Sequence, residues 1–348
     1  MTENRAVLLT GGAGFFGGIL KRELLAQGTT CVSVDLQPDD HHHPNLVSVQ
    51  GDIRDRELLM RIFASHRFDT VFHCAAMLAH DIPDRAALWQ SNVEGTRNIA
   101  HVAAENGVSR IVFTSSNCIW GRSFARPVRE DDPPDPVEIY GHSKWEAEKI
   151  LQSYAHKFNV VILRCPTIID SGRLGLLAIL FEFIDEGRTI WTVGAGENCY
   201  QFVFAPDLAD ACLRATRVRG TRVFNVGSDN VEPLHAVYQY VIEHAGTGAK
   251  VRPLPKAPTL LAMRLAHGLR LSPLGPYQYK MIAEDFQFDT RRIKAELGWQ
   301  PTLNNSEMLL RAYQYFRQHR EEIVQRRHAS SHRRPAQMGI IRLVKWLS

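Results

Sequence analysis

The 348-residue sequence lacks the features that would place it inside a membrane or in an oxidising compartment. No apolar run approaches the length that a membrane span needs. The N-terminus passes from MTENR into the strand-like AVLLT without the basic region, apolar stretch and cleavage site of a secretory signal. The six cysteines are scattered, with neither CxxC pairing nor the spacing of a disulfide framework. We therefore expect a cytoplasmic protein with reduced thiols.

Internal repeats and metal-ligand spacing are also missing. The run His41 to His43 is the one histidine cluster that suggests a metal, but three consecutive residues in a polar loop cannot all face one ion. We interpret it as a solvated loop and expect no metal.

The formal net charge of +4 is distributed unevenly. From Arg311 onward there are nine Arg and Lys against two Glu, which is +7 and leaves about −3 for the preceding residues. Residues 321–348 predict a basic linker that ends in an amphipathic tail, MGIIRLVKWLS. The tail pattern is compatible with peripheral membrane contact through residues 336–348, and also with packing on the chain itself or on a partner subunit. A nucleic-acid partner is not expected, because the basic tail lacks interleaved aromatics.

Strand-like and helix-like segments alternate regularly over residues 5–165, which is typical of a parallel sheet covered by helices. The predicted strands are Arg5–Thr10, Thr29–Asp35, Leu46–Gln50, Thr70–Ala75, Arg110–Ser115 and Val160–Arg164, and the predicted helices lie near 16–27, 55–67, 84–106 and 140–158. Right-handed crossovers between these strands make a doubly wound α/β Rossmann domain, which we place at residues 1–170. Residues 171–320 predict a smaller C-terminal α/β substrate-binding cap, with a helix near 173–187 and with residues 222–228 returning to the main sheet.

A glycine-rich loop follows the first predicted strand. Gly11, Gly14 and Gly17 stand at GxxGxxG spacing between a strand and a helix. The first permits a tight turn, the second lets a pyrophosphate approach the backbone, and the third lets helix and strand pack closely. An anion would then lie on the N–H groups of the helix N-terminus, where Phe15 and Phe16 stand.

Asp35 supplies a second sign of a dinucleotide site, because it ends the second predicted strand eighteen residues after Gly17. A carboxylate there can accept hydrogen bonds from an adenosine ribose, and it would repel a 2′-phosphate. Neither Leu36 nor Gln37 offers a cation, so NAD is favoured over NADP. The alternative is that Asp35 only caps a helix or a loop. Asp52 and Ile53, after the third strand, would contact the adenine ring.

Tyr140 and Lys144 stand four residues apart on one predicted helix face. A free tyrosine, with a pKa near 10, is a poor base at neutral pH, but a lysine cation and a positive nicotinamide ring stabilise its phenolate. Tyr140 can then exchange the proton of a carbinol. Of the three hydroxyls that end a strand at Thr114, Ser115 and Ser116, we choose Ser116 as the group that holds the substrate oxygen. The alternative for the YxxxK pair is a solvated helix pair.

Taken together, TGGAGFFG, Asp35, GDI, HCAAM, Asn92 in NVEGT, SSNCIWG and YGHSK resemble the NAD-dependent epimerase/dehydratase branch of the extended short-chain dehydrogenase/reductase superfamily, over about residues 5–320. The resemblance implies that Ser116, Tyr140 and Lys144 form a catalytic triad, with Lys144 also holding the nicotinamide ribose. It places Ala75 and Ala76 beside the cofactor, Asn92 under the active-site helix and the CPTIID segment with Pro166 along the nicotinamide. It also implies a homodimer that pairs the helices near 84–106 and 140–158.

Departures from the family pattern bear on the substrate. Asn117 and Cys118 stand where 4,6-dehydratases carry an Asp-Glu pair, so a dehydratase is not expected. Tyr200 stands where sugar-nucleotide epimerases usually have a pyrophosphate-binding Arg, and Thr167 where they have an Asn. Other arginines that remain as possible phosphate partners are Arg164, Arg173, Arg188 and Arg252. Cys118 also matches an acid/base cysteine of some GDP-sugar enzymes, although a buried structural thiol is the more common role.

The first functional hypothesis is a nucleotide-sugar epimerase similar to UDP-glucose 4-epimerase. The alternative is a 3β-hydroxysteroid dehydrogenase-like enzyme for a lipid alcohol, because the apolar stretch TLLAMRLAHGLRLSPLGP would suit an apolar substrate, unless its leucines are the core of the cap. A third hypothesis is a non-catalytic NAD-binding redox sensor.

Overall fold

The computed structural model of the chain describes residues 6–78, 84–269 and 276–325. Its strands are β1 (Ala6–Thr10), β2 (Cys31–Asp35), β3 (Leu46–Gln50), β4 (Phe68–His73), β5 (Arg110–Ser116), β6 (Asn159–Cys165), β7 (Thr167–Ile169), β8 (Thr189–Val193), β9 (Phe202–Phe204), β10 (Arg222–Asn225) and β11 (Lys250–Leu254). Its helices are α1 (Phe15–Ala26), α2 (Arg56–Ser65), α3 (Arg85–Trp89), α4 (Gly95–Glu105), α5 (Ile139–Ser153), α6 (Leu177–Asp185), α7 (Ala205–Ala215), α8 (Leu234–Ala245), α9 (Lys256–Gly268), α10 (Pro276–Ala283), α11 (Arg291–Leu297), α12 (Asn305–Gln318) and α13 (Arg320–Gln325).

Seven parallel strands form the central sheet in the order β10-β6-β5-β4-β1-β2-β3. The six predicted strands are all present, with ends that differ by one or two residues, and β10 adds the seventh. The strand order reverses between β1 and β4, which is where ligands bind in doubly wound sheets. The doubly wound α/β prediction is confirmed.

Two helix predictions needed correction. The predicted helix near 84–106 is interrupted by a π-helical turn at Gln90–Glu94, between α3 and α4. The predicted helix near 173–187 begins only at Leu177, because Gly172 and Gly175 adopt positive φ angles of 83° and 58°, which end regular helix geometry.

The sheet is covered on both faces by apolar cores. One face packs against α2, α4 and α5, and the other against α1 and α7. Trp299, which is fully buried, fixes the loop after α11 to α7 by donating its indole N–H to the Asp207 carbonyl at 2.8 Å. A third core joins α6, α8 and α12 to the small β7-β9 sheet.

No helix in the described ranges is long and apolar enough to cross a membrane. The predicted tail contact at 336–348 and the basic linker after Gln325 lie outside the described residues.

Candidate active site

The loop between β1 and α1 is held so tightly that side chains would not fit in it. Gly11 has a φ of +80°, and a Cβ added there would lie 2.8 Å from the Ala75 backbone nitrogen. A Cβ on Gly17 would lie 2.0 Å from the Gly11 carbonyl oxygen. Gly14 is the N-cap of α1 and brings no capping side chain to the helix terminus, where Phe15 and Phe16 form the first turn without an acidic neighbour. This is a backbone cradle suited to an anion.

Asp35 lies at the rim of the same cradle. Its carboxylate oxygens accept the Ala13 N–H at 3.0 Å and the Gln37 N–H at 2.9 Å, so the second strand and the glycine loop are tied together. The lysine of α1, Lys21, is buried and forms an ion pair with Asp39. The Asp35 carboxylate is therefore held at the end of β2 nearest the loop, while the Lys21 ammonium is paired with Asp39.

Asp52 and Ile53 lie after β3, on the same edge of the sheet. Burial raises the pKa of the Asp52 carboxyl, but hydrogen bonds from the Arg54 side chain and backbone N–H outweigh it and leave the pKa below its usual value. Ile53 is 5% exposed, and its side chain fills the space above Gly95 of α4. Asp52 is therefore the more accessible of the two.

A buried chain of hydrogen bonds runs beneath the cradle from β4 to α4. Thr96 donates to the Asn92 carbonyl at 2.6 Å, and its oxygen lies 2.9 Å from His73 Nε2. His73 Nδ1 lies 2.7 Å from the Thr10 hydroxyl, which accepts the Ala75 N–H at 3.2 Å. Burial, followed by the charge of Lys144, lowers the pKa of His73 to about 3, so the ring is neutral. One proton arrangement satisfies every partner, with the histidine proton on Nε2.

The segment after β4 is fixed by Asn92. Its side-chain amide accepts the Met77 N–H at 2.7 Å and donates to the Met77 carbonyl at 3.0 Å. The same amide nitrogen lies 3.0 Å from the Ser143 hydroxyl, which donates to the Tyr140 carbonyl at 2.8 Å. Asn92 therefore connects the Ala75–Met77 segment to the first turn of α5, while Ala76 stays exposed.

The Ser116 and Tyr140 side chains meet at the carboxyl end of β5. Ser116 Oγ lies close enough to the Tyr140 phenol to affect its pKa, and it accepts the Cys118 N–H at 3.2 Å. A Cβ on Gly141 would lie 2.1 Å from the Cys118 carbonyl oxygen, so the start of α5 presses directly on the turn after β5. Burial raises the pKa of Tyr140 well above its usual value, and the nearby Ser116 hydroxyl opposes that shift.

Lys144 lies one helical turn from Tyr140 and is 3% exposed. Its ammonium donates to the Thr114 carbonyl at 2.9 Å and lies 4.6 Å from the centre of the Phe113 ring. Burial lowers the pKa of Lys144 to about 8. Below that pH the lysine is a buried cation on the tyrosine's face of the helix.

Thr114 and Ser115 direct their hydroxyls elsewhere, to the His73 carbonyl and to Glu148. Glu148 is fully buried and binds Arg164, which is 3% exposed, through contacts of 2.7 to 3.3 Å. Arg164 is therefore wrong as a candidate phosphate partner, since its guanidinium belongs to an internal ion pair.

The other three arginine candidates do not converge on the site. Arg188 lies 3.8 Å from Glu186, Arg173 donates to the Ile168 carbonyl, and Arg252 is exposed on β11.

A small cleft of about 20 Å³ lies between the turn after β5 and the segment after α10. Asn117, Trp120, Tyr200 and Phe286 line its inner part, with Arg122, Ser123, Glu284 and Asp285 completing the lining. Asn117 donates to the Tyr200 hydroxyl at 2.7 Å. The exposed Arg122, whose Nε lies 3.9 Å from an Asp135 carboxylate oxygen, brings a cation to the cleft.

Two residues of the CPTIID segment are also placed. Pro166 is buried between β6 and β7, and the Thr167 hydroxyl faces the sulfur of Met281 at 3.8 Å. Thr167 is therefore turned toward α10.

Sequence reasoning missed several supporting residues. The motif HCAAM contains His73 and the motif YGHSK contains Gly141, but neither motif predicts the hydrogen bonds of His73 or the close approach at Gly141. Glu148 carried a usable signal, because it follows Lys144 by four residues and is a charged residue on the buried face of α5. The cleft cation Arg122 had no sequence signal.

Comparisons with known proteins agree with this geometry. Residues 7–227 match the NAD dependent epimerase/dehydratase family. An uncharacterized protein of Sinorhizobium fredii, y4nG, is 34% identical over 98% of this chain and 86% of its own. The N-acetyl-alpha-D-glucosaminyl-diphospho-ditrans,octacis-undecaprenol 4-epimerase of Escherichia coli is 32% identical over 60% of this chain and 62% of its own.

Two further comparisons involve UDP-glucose 4-epimerases. That of Neisseria meningitidis is 30% identical over 88% of this chain and 95% of its own. The solved structure of the Thermotoga maritima enzyme with UDP-glucose superposes with a TM-score of 0.74, at 23% identity, over 90% of this chain and 99% of that one. This last likeness concerns the fold.

Proposed function

Because this chain belongs to the NAD-dependent epimerase/dehydratase family, we propose that it epimerises a secondary alcohol of a sugar that carries a diphosphate. The observation that carries the proposal is the placement of Ser116 beside Tyr140, with Lys144 one turn away. A binding module has no need of a buried cation at that position. The chain is thus an enzyme of this family, and the hypothesis of a non-catalytic redox sensor is excluded.

The residues present fit a dinucleotide. A Cβ at Gly11 or Gly17 would clash with neighbouring backbone, and the cradle that these two glycines form with Gly14 suits a pyrophosphate. Asp35 would hold the adenosine ribose, with Asp52 nearby, and Ala75, Ala76 and Pro166 would flank the remainder. When bound, NAD supplies hydride acceptance and return at the carbinol carbon, which no side chain supplies.

Within the triad, we assign each residue a task. Ser116 would hold the carbinol oxygen beside Tyr140, and Tyr140 would take the carbinol proton and later return it. The raised pKa of Tyr140 favours the protonated phenol, which is the form that returns a proton to a ketone. Lys144, charged below about pH 8, would stabilise the phenolate during the opposite transfer.

The relatives support a glycosyl diphosphate as the substrate class, because the named ones act on UDP-glucose or on a diphosphate-linked N-acetylglucosaminyl lipid. Tyr200 replaces the expected arginine with an apolar ring, so we infer that Arg122 supplies the phosphate contact from the cleft instead. We propose the cleft between residues 1–170 and 171–320 as the place where the sugar binds.

The test measures conversion of the sugar rather than a change in the cofactor. Purified chain is incubated with UDP-glucose or UDP-N-acetylglucosamine and catalytic NAD⁺, and the products are resolved by proton NMR. We expect the epimeric sugar to appear without accumulation of NADH, and Tyr140→Phe to abolish it. Stoichiometric NADH from a lipid alcohol, with no epimer from any glycosyl diphosphate, would instead favour the dehydrogenase alternative.

We also propose a homodimer, as the family resemblance implies. The 37% exposed side chain of Trp89, at the end of α3, supports it because a large aromatic ring at a helix end is a common interface residue. Light scattering should give twice the 39.4 kDa chain mass, and a monomer mass would contradict the proposal.

A further inference from the structure

Helix α9 presents a continuous apolar stripe to solvent. Leu261, Leu265 and Leu269 repeat every fourth residue and are 59%, 60% and 70% exposed. No residue of α9 is buried. Soluble proteins expose single leucines often, but a row of three on one helix face marks a surface that binds something apolar.

The stripe is held in place by the opposite side of the helix. α9 packs on β8 and α10, and the Tyr279 hydroxyl donates to the Met263 carbonyl at 2.8 Å. Leu260 and Met263 of this helix are partly buried, unlike the exposed leucines. The helix is therefore a fixed ridge, and its leucines are not the core of the cap.

The segment of sequence that contains α9 carries charge of one sign. Residues 244–283 contain six Lys and Arg and no Asp or Glu, and residues 323–348 again contain six and none. Without these segments the chain has 29 cations against 37 anions, a net charge of −8. Lys250, Arg252, Lys256 and Arg264 are exposed, and none pairs with a carboxylate in the part of the chain that the structure describes.

We propose that the outer face of α9 binds a lipid bilayer with anionic headgroups. The leucines would enter the boundary of the acyl chains, while the surrounding cations contact the headgroups. A second copy of this chain suits the face poorly, because it would bring two anion-free segments together. The charge complementarity therefore favours the anionic membrane.

The ridge also has a defined place relative to the cleft. α10 packs against α9 and leads directly into Glu284, Asp285 and Phe286, which line the cleft. A chain docked through α9 would therefore bring the cleft near the lipid surface. The binding test below requires no turnover, so it succeeds or fails separately from the proposed reaction.

The experiment is sedimentation of the full chain with vesicles of phosphatidylcholine and phosphatidylglycerol in equal amounts. We expect binding that weakens in high salt and with phosphatidylcholine alone. The triple substitution Leu261→Ser, Leu265→Ser, Leu269→Ser should weaken it by about 1,000-fold, since each inserted leucine contributes about tenfold. Lys256→Glu with Arg264→Glu gives an independent charge variant, and both are first checked by circular dichroism.

The matched control is Val47→Ser with Met60→Ser, which removes exposed apolar side chains of the Rossmann domain and should bind as the unaltered chain does. Deletion of residues 336–348 measures separately how much the tail contributes to vesicle binding. The proposal is overturned if the full chain does not bind the anionic vesicles, or if the α9 serine and glutamate variants bind them as tightly as the unaltered chain.

Discussion

The surroundings of Tyr140 and the ridge of α9 differ in which side chains are buried: polar groups are buried near Tyr140, and apolar groups are exposed on α9. Near Tyr140, charged and polar side chains are buried and each has a partner, as Lys144, Glu148 and His73 show. On α9 the leucines are exposed and the cations have no carboxylate partner among the described residues. Burying polar groups fixes geometry for chemistry, whereas exposed apolar groups serve a contact made outside the fold.

The largest effect is expected at the phenol itself. Tyr140→Phe removes the proton donor while keeping the ring, so turnover should fall by about 10³-fold, within the usual range for general acid-base catalysis. The melting temperature and NAD affinity should stay nearly unchanged. His142→Ala is the control, because His142 is exposed on the same helix. Retained turnover in Tyr140→Phe would remove the tyrosine from the chemistry.

The next effect concerns the buried ion pair. Arg164→Met leaves the Glu148 carboxylate without its cation in the interior, and we expect a loss of about 3–5 kcal/mol in unfolding free energy, measured by denaturant titration. Adding Glu148→Leu should recover most of it. Arg222→Met removes the exposed pair with Glu296 and should cost at most about 1 kcal/mol. Equal costs at the two sites would refute the contrast between interior and surface.

A somewhat smaller effect is expected in the glycine cradle. Gly17→Ala places a methyl group 2.0 Å from the Gly11 carbonyl oxygen, so the backbone must shift. We expect a loss of about 2–3 kcal/mol in unfolding free energy together with weaker NAD binding. Gly248→Ala, where nothing lies within 4 Å of the added carbon, should change neither. An unaltered NAD affinity in Gly17→Ala would move the cofactor away from this loop.

The smallest effect depends on pH. The pKa of His73 is about 3 in the folded chain against the ordinary 6.5. Between these two pH values His73 is protonated in the unfolded chain and neutral in the folded chain. Its contribution is therefore present above pH 6.5 and is lost as the pH falls toward 3. At about pH 5 the loss should reach about 2 kcal/mol. His73→Gln should flatten the slope of unfolding free energy against pH, and an identical slope would contradict the assignment.

The sequence predicted best where chemistry depends on local spacing. Gly11, Gly14 and Gly17 lie in one loop and the first turn of α1, and Tyr140 and Lys144 lie within one helix, so their relation follows from backbone geometry alone. The pairing of Glu148 with Arg164 joins α5 to β6, and the contact of Gly141 with Cys118 joins α5 to the turn after β5. Such contacts depend on how separate elements pack, which a single sequence does not reveal.

The α9 leucines are a second case in which packing between elements could not be predicted from the sequence. Their spacing predicts a helix with an apolar face, and an apolar face normally belongs to the core. Only the packing of α9 on β8 and α10 through its other face shows that the leucines point outward.

The most direct test of the account is equilibrium dialysis of the full chain against NAD⁺ and NADP⁺ in equal amounts, followed by analysis of the nucleotide extracted from the protein. The cradle and Asp35 predict about one NAD per chain with little NADP, because the carboxylate would repel a 2′-phosphate. Extraction of mostly NADP, or of neither nucleotide from folded protein, would contradict the account.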